Sequence, residues 1–540
     1  MTSWWHDAVG YSLYLRSFAD SDGDGMGDLG GVLARLDHLA DLGVDLLWVT
    51  PFYPSPMADH GYDIVDHGAV DPRFGRLADV DRLVDAAHRL GIRVVIDLIP
   101  NHTSAEHPWF RQAVDEPTGR YRDYYVWADP APRATPAPAP APGAGPGAGD
   151  GSGPPNNWVS YFGGPAWTLD PASGQYYLHL FLASQPDLNW RNPRVVAEFD
   201  RIVEFWLDRG IDGFRVDAAQ CLVKSADLAS NPAVAAWRAD APRSAQWAAF
   251  EHRHDVVQPE TIDIFERWRT ACARRGAVLI GETHVDTAAD LARLLPGRGL
   301  DAGFWFGAIG AAWDAAEIIR ALREPIEAVG DPRRIAWVSS SLDDPRAATR
   351  LGGGELGRRR ALALATLVFG LPGVPFLYQG EELGLVDGLV PPAQRLDPVA
   401  GPGDDGRDGC RTPMPWEPGP SLGFSTSAAT WLPMGGRSEA DTVAAQRGVE
   451  GSWLERFKAL VALRRRCPAL RSAAPVEWFD PAGGLAGYSR GEVWVAANAG
   501  ERPVPVPRRG TILFDTDGGQ GRIGRSDRLG PGRAVVVRCG

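Results

Sequence analysis

The sequence predicts an α/β protein: a closed (β/α)8 TIM barrel, with an inserted lid subdomain after the third strand and a C-terminal antiparallel β-sandwich. Three observations predict it: eight short apolar runs, amphipathic helices between most of them, and short β runs at the end of the chain. The chain has 540 residues, which is too long for one ordinary domain and fits a large barrel with appended modules.

The eight apolar runs are the strand candidates of the barrel. Several are continuous Val/Ile/Leu runs, as expected of parallel strands covered on both faces. Helical patterns such as LGGVLARLDHLADLG and VVAEFDRIVEFWLDRG lie between them, and strands alternating with helices indicate a parallel sheet. The candidates are AVGYSLYLRSF near the start and residues 44–52, 92–102, 211–219, 277–285, 300–306, 334–341 and 374–382.

Two segments interrupt or follow this pattern. After the third run, residues 103–185 are expected to form an inserted subdomain over the barrel mouth, with the Pro/Ala/Gly-rich segment 130–155 as a mobile surface loop. Short β runs from VEWF to AVVVR predict the sandwich. The expected division is therefore 1–102 and 186–467 for the barrel, 103–185 for the insertion and 468–540 for the C-terminal domain.

Charge and cysteine content limit the function classes. The net charge of −13 argues against nucleic acid or an anionic membrane as a partner. The five cysteines are widely spread with no CxxC pair, which predicts reduced thiols and a cytoplasmic protein. The N-terminal residues lack the pattern of a signal peptide, and no run approaches the ~20 apolar residues that span a bilayer.

Charged residues cluster where the predicted strands end. Asp97, Arg215 with Asp217, Glu282 and Asp343 each follow an apolar run. In such barrels the carboxyl ends of the strands carry the chemistry. Any one of these carboxylates could instead be a helix N-cap, but four strands ending this way make capping alone a poor explanation.

Two of these positions suit glycoside hydrolysis. Arg215 and Asp217 are two residues apart on a strand and point the same way, so the Arg holds the carboxylate ionised. Glu282 ends the next strand, and a retaining glycosidase needs two such carboxyl groups flanking the scissile bond. A purely structural Arg–Asp pair is the alternative interpretation.

The ordered segments DLIPNH, QPDLNW, GFRVDAA, GET and LDDPR resemble the signatures of the α-amylase superfamily, glycoside hydrolase family 13. Together with WWHDAV, GYDIVDH, LYQGEELG and RTPMPW, they are similar to its oligo-1,6-glucosidase and α-glucosidase branch. The resemblance covers nearly the whole chain and implies an active glycoside hydrolase with no organic cofactor.

The resemblance also implies a role for each matching position. Asp217 would be the nucleophile, Glu282 the acid/base and Asp343 the third carboxylate, chosen over Asp344 because Pro345 and Arg346 then fall where the family expects them. Asp59 with either Arg407 or Arg411 would close the pocket and make the enzyme exo-acting. The other implied substrate contacts are Tyr62, His102, Phe181, Gln185 and Arg215.

The residue after the nucleophile bears on the linkage. In this branch, Ala at the position of Ala218 goes with α-1,4 cleavage and Val with α-1,6. The expected function is therefore retaining, exo-acting hydrolysis of short α-1,4-glucosides such as maltose, with glucosyl transfer through the same intermediate. An α-1,6-glucosidase and a sucrose- or trehalose-converting isomerase are the alternatives, and the substrate is a small oligosaccharide in each case. The sequence leaves the oligomeric state open.

Two departures from the family pattern favour a third alternative, a catalytically weakened binding protein. Ser341-Leu342-Asp343 replaces the usual Asn-His-Asp, and Gln220 stands where a His is usual. Losing one charge-assisted hydrogen bond costs about 1.5–3 kcal/mol, or ~10–100-fold in rate.

The loop DSDGDGMGD carries oxygen ligands at the spacing of a calcium loop, although Gly31 stands where an EF-hand has its bidentate Glu. The family resemblance implies a structural Ca²⁺ or Mg²⁺ here, and an acidic turn without metal is the alternative. The predicted ligands are Asp20, Asp22, Asp24, Asp28 and the carbonyl of Met26.

Overall fold

A computed structural model describes residues 3–132, 152–295, 297–400, 405–471, 474–524 and 526–540. Its centre is a closed barrel of eight parallel strands, in which each strand pairs with its neighbours in chain order and β1 pairs with both β2 and β8. The strands are β1 Gly10–Leu13, β2 Leu46–Val49, β3 Arg93–Leu98, β4 Gly213–Val216, β5 Val278–Gly281, β6 Ala302–Trp305, β7 Ile335–Val338 and β8 Val374–Tyr378.

All eight predicted strands are confirmed, each inside the run that predicted it. Every residue in them is buried except Arg93 at the start of β3. The buried Val, Ile and Leu side chains pack between the strands and the surrounding helices, which is why the runs are apolar without alternation. The carboxyl ends of the strands therefore meet on one face of the molecule.

The helices surround this barrel. The predicted helix at residues 29–43 is split in two at Arg35, whose backbone leaves the helical region (φ −113°, ψ 8°). The α-helices are Leu29–Ala34, Leu36–Leu42, Leu77–Arg89, Pro108–Asp115, Pro193–Asp208, Arg243–Trp247, Thr261–Arg274, Ala288–Leu294, Gly307–Gly310, Ala315–Ala328, Ala347–Arg350, Gly354–Phe369, Val443–Gln446, Trp453–Arg466 and Pro468–Arg471.

The segment between β3 and β4 forms a small antiparallel sheet over the barrel mouth. Its strands are Trp127–Ala128, Tyr176–Leu178 and Trp167–Leu169, with Tyr176–Leu178 in the centre. Residues 133–151, on which most of the predicted mobile loop falls, lie outside the described residues. On either side of them, Ala131–Pro132 pairs with Ser152–Gly153.

A buried ammonium group ties this lid to the barrel. The Nζ atom of Lys224 lies 2.6 Å from Asp187 Oδ2 and donates to Asn101 Oδ1 at 2.7 Å. Asp187 Oδ1 accepts from Asn101 Nδ2 at 3.0 Å and from the Leu180 main chain at 3.1 Å. The three side chains come from the end of β3, from the lid and from the segment after β4, so one ion pair joins three parts of the chain.

The end of the chain folds as the predicted antiparallel sheet. Six strands lie in the order Glu477–Trp478, Leu485–Arg490, Val493–Asn498, Ala534–Cys539, Gly510–Asp515 and Arg522–Ile523. Alternate residues of the third strand point to opposite sides: Val493, Val495 and Ala497 join the barrel core, whereas Trp494 and Ala496 join a separate cluster. That cluster is completed by the two-stranded ribbon Val504–Pro505 and Arg528–Leu529, which forms the second layer.

Replacing Lys224 with Met should reduce the free energy of unfolding by about 3–5 kcal/mol, because Asp187 would be left buried without its cation. Chemical denaturation measures this loss. The matched control is Lys458→Met, which removes a more exposed ammonium 2.9 Å from Asp41 and should cost less than about 1 kcal/mol. Equal losses in the two variants would show that the buried Lys224 ion pair contributes no more to the free energy of unfolding than an exposed one.

Candidate active site

The guanidinium of Arg215 is the centre of the polar cluster at the strand ends. Its Nη1 donates to Asp97 Oδ1 at 2.7 Å and to Asp217 Oδ1 at 2.6 Å. Its Nη2 lies 2.6 Å from Glu282 Oε1. Arg215 pairs with Asp97 on β3 and with Ile280 on β5 in the barrel register, so the strands place all three carboxyl groups around one cation.

The charges of this cluster shift its pKa values. Burial raises the pKa of Asp97 to about 6, against the opposing effect of Arg215. Burial also raises the pKa of Asp217, again opposed by Arg215, while Glu282 and Asp97 add repulsion. Three carboxyl groups share a single guanidinium, so the cluster holds a proton more readily than three separate carboxylates would.

Asp97 is fixed behind the pocket wall. Its Oδ2 accepts from Trp48 Nε1 at 3.0 Å and from the Tyr62 hydroxyl at 3.3 Å. The guanidinium carbon of Arg215 lies 4.6 Å from the centroid of the Trp48 ring, within cation–π range. The aromatic side chains thus orient the Arg215–Asp97 pair without taking part in the ion pair themselves.

The opposite side of the pocket is closed by a second network of ions. Arg407 Nη2 donates to Asp59 Oδ1 at 2.8 Å and to Asp397 Oδ1 at 2.7 Å, and Arg407 Nη1 lies 3.2 Å from Asp343 Oδ1. Arg411 is fully buried and donates to the same Asp343 oxygen at 2.8 Å. Of the two candidate arginines, Arg407 is the one that meets Asp59 on the pocket wall.

The two arginines determine the charge of Asp343. Burial alone would raise its pKa, but Arg411 and Arg407 outweigh burial and lower it. The neighbouring Asp344 accepts instead from the Ser341 hydroxyl at 2.8 Å. Asp343 is therefore the member of this adjacent pair that the arginines hold as a carboxylate.

The pocket between these two networks has a volume of about 440 Å³. Most of the predicted site residues line it, and three lie one layer behind: Arg215, Arg411 and Gln185. The amide nitrogen of Gln185 contacts Asp59 Oδ2 at 3.1 Å and His102 Nε2 at 3.0 Å. Burial lowers the pKa of His102 to about 3, so the ring is neutral. The lining residues predicted from sequence are Asp59, Tyr62, His102, Phe181, Asp217, Ala218, Glu282, Asp343 and Arg407.

Several lining residues were not predicted. Tyr161 and Phe162 come from the lid, where the aromatic run WVSYF was the available signal. The segment after β4 contributes Arg243, Ser244, Trp247 and Ala248, and no recognisable motif marks it. Three further lining residues stand within four positions of a motif carboxylate: His284, Asp286 and Asp344.

The two departures from the family pattern differ in where they lie. Leu342 is buried, and its main-chain carbonyl accepts from Arg411 Nε at 2.7 Å. Gln220 lines the pocket, donates from Nε2 to the Tyr161 hydroxyl at 3.1 Å, and accepts at Oε1 from the His284 main chain at 3.3 Å. Gln220 therefore joins the lid to the segment after β5.

The acidic loop lies away from this pocket in sequence and brings three carboxylates together. One oxygen each of Asp20, Asp22 and Asp28 lies within 4.8 Å of the others. Asp20 Oδ1 accepts from the main chain of Gly23 at 2.7 Å, and Asp28 Oδ1 accepts from Gly31 at 2.7 Å. Asp24 turns back on the loop and accepts from the Met26 main chain at 2.7 Å.

A closed parallel barrel whose strand ends present paired carboxyl groups in a pocket defines a barrel glycoside hydrolase. Residues 12–473 match the family described as "Alpha amylase, catalytic domain". The chain belongs to this family, glycoside hydrolase family 13, and to the group whose relatives are α-glucosidases and oligo-1,6-glucosidases.

Three similar proteins place it within the family. A probable α-glucosidase of Rhizobium meliloti (strain 1021) is 38% identical over 518 residues, 90% of this chain and 87% of that protein. The oligo-1,6-glucosidase of Heyndrickxia coagulans is 33% identical over 510 residues, 86% of this chain and 85% of its own. The solved α-glucosyl transfer enzyme XgtA is 38% identical, with a TM-score of 0.86 over 100% of both chains.

Within the part of the chain that the structure describes, no helix combines the length and the apolar character needed to cross a membrane. The cysteines are all free, and four of the five are buried.

The Asp397–Arg407 pair predicts a pH-dependent stability. Burial alone would raise the pKa of Asp397, but Arg407 and Arg411 hold it far below its usual range. A carboxylate with a lowered folded-state pKa stabilises the fold above the unfolded pKa of about 4, and loses that contribution as the pH falls below it. Asp397→Asn should therefore cost about 3 kcal/mol at pH 7 and clearly less at pH 3.

Urea denaturation at the two pH values measures this difference. The control is Asp405→Asn, because Asp405 pairs with Arg395 in an exposed position and its side chain is 86% accessible. That variant should match the wild type at both pH values. A cost for Asp397→Asn that does not change between pH 7 and pH 3 would contradict the ionised pair.

Proposed function

We propose that this enzyme is an exo-acting retaining α-glucosidase that cleaves short α-1,4-linked glucosides such as maltose. One observation carries the proposal: Arg215 holds Asp217 and Glu282 together on one wall of a pocket whose other side is closed by Asp59 and Arg407. A retaining glycosidase needs two carboxyl groups close enough to act on one bond. A closed far side admits only the terminal sugar.

In the first step Asp217 attacks the anomeric carbon of the terminal glucose and forms a glucosyl ester. The bond to the leaving oxygen breaks, and Glu282 gives its proton to that oxygen. Arg215 orients the attacking carboxylate and opposes the rise in the pKa of Asp217 that burial causes. Asp343, held as a carboxylate by two arginines, accepts hydrogen bonds from sugar hydroxyls.

In the second step a water or sugar hydroxyl attacks the anomeric carbon. The ester bond to Asp217 breaks, and the proton of the attacking hydroxyl passes to Glu282. Hydrolysis and glucosyl transfer therefore share the intermediate and differ only in the acceptor. Transfer is the second candidate outcome, supported by the 38% identity with a glucosyl transfer enzyme.

The linkage preference rests on Ala218. Its main-chain nitrogen donates to Glu282 Oε2 at 2.9 Å, and its backbone is left-handed at φ 43°. A β-branched residue is strained in that conformation, so Val here would disturb the backbone that positions the acid/base. An Ala is tolerated there, and the preference for α-1,4 over α-1,6 cleavage follows from the family pattern, in which Ala at this position goes with α-1,4 cleavage.

The weakened binding protein is less well supported. The carboxylates at positions 217, 282 and 343 all line the pocket, and Arg215 contacts two of them. His284 also lines the pocket and is among the groups that lower the pKa of Asp343. We infer that His284 provides polar contact on the side where Leu342 replaces the usual His.

We also propose that a structural Ca²⁺ binds at Asp20, Asp22 and Asp28, because hard oxygen ligands converge there. Asp24 and the Met26 carbonyl complete the proposed set. The ion would stabilise the loop and takes no part in the chemistry. A cytoplasmic location is proposed because the cysteines are free thiols.

Purified enzyme should release glucose from maltose faster than from isomaltose, sucrose or trehalose, and α-glucose should form first by NMR because the mechanism is retaining. Asp217→Asn should lower kcat/KM at least about 10³-fold, since it removes the nucleophile. Folded protein that binds maltose without releasing glucose from any of the four sugars would establish the weakened binding protein instead.

The linkage is tested in the same assay with Ala218→Val. This variant should lower the ratio of maltose to isomaltose hydrolysis several-fold while preserving some turnover, because Val at this position goes with α-1,6 cleavage in the family and all three carboxylates are kept. A ratio equal to that of the wild type would remove Ala218 from the argument and leave the mechanism intact.

For the metal, enzyme stripped with EDTA should gain about 1–3 °C in Tm on addition of Ca²⁺. Asp22→Asn should abolish the gain, because Asp22 belongs to the converging group. The control is Asp37→Asn, which removes an exposed carboxylate outside the loop and should retain the gain. No Ca²⁺-dependent change in the wild type would identify the loop as an acidic turn.

A further inference from the structure

Four aromatic rings stack in a column along one wall of the pocket, beside Gln220. The centroids of Phe181 and Tyr161 lie 5.3 Å apart at an interplanar angle of 14°, and those of Tyr161 and Trp247 lie 3.8 Å apart at 20°. Trp247 and His252 follow at 3.4 Å and 5°. We call these four residues the aromatic column.

The column is a wall rather than a stacking surface for sugar. Both faces of Tyr161 and both faces of Trp247 are covered by neighbouring rings, so only their edges meet the pocket. The Tyr161 hydroxyl also accepts from Gln220 Nε2 at 3.1 Å. The position of the column therefore fixes the width of the pocket on this side.

The column spans two parts of the chain that are distant in sequence and that also meet through hydrogen bonds such as that from the Gly164 main chain to Gln246 Oε1 at 2.8 Å. Phe181 and Tyr161 belong to the lid, whereas Trp247 and His252 belong to the segment after β4. At the lid end, Phe181 lies 5.1 Å from His102 between ring centroids, and His102 lines the glucose pocket. A shift at the His252 end therefore moves the wall that the lid and this segment form together.

His252 is held as a cation at that end. Its Nδ1 lies 2.6 Å from Asp255 Oδ2 and its Nε2 lies 3.0 Å from the Trp247 carbonyl, so both ring nitrogens face acceptors and both carry a proton. Both side chains are buried. Burial opposes the charge, but Asp255 outweighs it and raises the pKa of His252. An imidazolium lying flat on the Trp247 indole adds a cation–π attraction.

Other titratable groups lie around His252, and among them His284 lines the adjoining cleft. Glu251 and Arg253 pair with each other at 2.7 Å, and Asp290 pairs with Arg293 at 3.1 Å across the adjoining cleft. Asp286 lies on the wall shared by that cleft and the pocket, and its charge favours the protonated ring. Asp255 is thus the partner on which the protonation of His252 chiefly depends.

We propose that the aromatic column faces the acceptor, and that His252 and Asp255 are positioning residues which, by holding the column in place, decide whether water or a sugar hydroxyl takes the glucosyl group. The inference rests on the proposed function, because it concerns the second step of that reaction. With the column in place, an acceptor sugar is held against the anomeric carbon and water competes poorly. When Trp247 and Tyr161 loosen, water enters and the ester at Asp217 is hydrolysed.

The test uses p-nitrophenyl α-glucoside as both donor and acceptor, with the full-length enzyme. Each bond cleavage frees one p-nitrophenol, and each hydrolysis frees one glucose, so the excess of p-nitrophenol over glucose reports transfer. His252→Gln and Asp255→Asn should lower this excess about fivefold or more, while p-nitrophenol release falls less, because positioning of the acceptor is lost before bond cleavage is. Trp247→Phe should keep most of the transfer and Trp247→Ala should lose it.

The matched control is His88→Gln, which also breaks a His–Asp contact, since His88 Nε2 lies 2.6 Å from Asp212 Oδ2. That variant should keep the wild-type ratio of released p-nitrophenol to released glucose, which we call the transfer ratio. The Tm values of all variants separate loss of folding from loss of transfer. A second readout is pH: the wild-type ratio should fall as the pH rises past the raised pKa of His252. In Asp255→Asn the fall should begin at lower pH.

The outcomes separate the two hypotheses. Wild-type release of glucose with an unchanged transfer ratio in folded His252→Gln and Asp255→Asn would overturn the role of the column and leave the α-glucosidase standing. No cleavage of the glucoside by the wild type would overturn both. A ratio that falls equally in His88→Gln would show that any loss of a His–Asp pair has this effect, and would also overturn the proposal.

Discussion

The contact of one guanidinium with three carboxyl groups is the constraint on which the site depends. Arg215 can reach Asp97, Asp217 and Glu282 only because β3, β4 and β5 are adjacent and in register, and that register exists only in the closed barrel. A charge of this kind, buried at 3% side-chain exposure, is tolerated because it is paired with three carboxyl groups. The geometry of the chemistry is thus fixed by the same strand pairing that closes the core.

Much of this could be predicted from the sequence because it depends on local pattern. The barrel strands are continuous apolar runs, and burial on both faces leaves no other composition for them. Asp217 and Glu282 follow such runs directly, so a strand assignment already places them on the catalytic face. The ligand spacing of the acidic loop is equally local, and three of its four carboxylates do converge.

The remainder depends on contacts between segments that are distant in sequence. Arg407 and Arg411 are four residues apart in one motif, and only the fold shows that Arg407 reaches Asp59 while Arg411 lies buried behind Asp343. Gln185 likewise acts through other residues on the pocket wall. A resemblance between sequences assigns such residues to a site, but it does not distinguish contact with the substrate from support of a neighbouring side chain.

The aromatic column shows the same limit most clearly. Trp247 and His252 lie five residues apart in a segment without a motif, and their partners Tyr161 and Phe181 lie in the lid. The Asp255 carboxylate fixes the His252 ring, and that ring in turn fixes the Trp247 indole. No sequence motif marks such an arrangement. In the proposed reaction Arg215 anchors the side where the bond is broken and His252 anchors the side where the acceptor binds, and each is a buried cation paired with Asp. The first belongs to the barrel, whose register leaves it no freedom. His252 lies where the lid meets the segment after β4. A wall built from these two segments can change without disturbing Asp217 and Glu282.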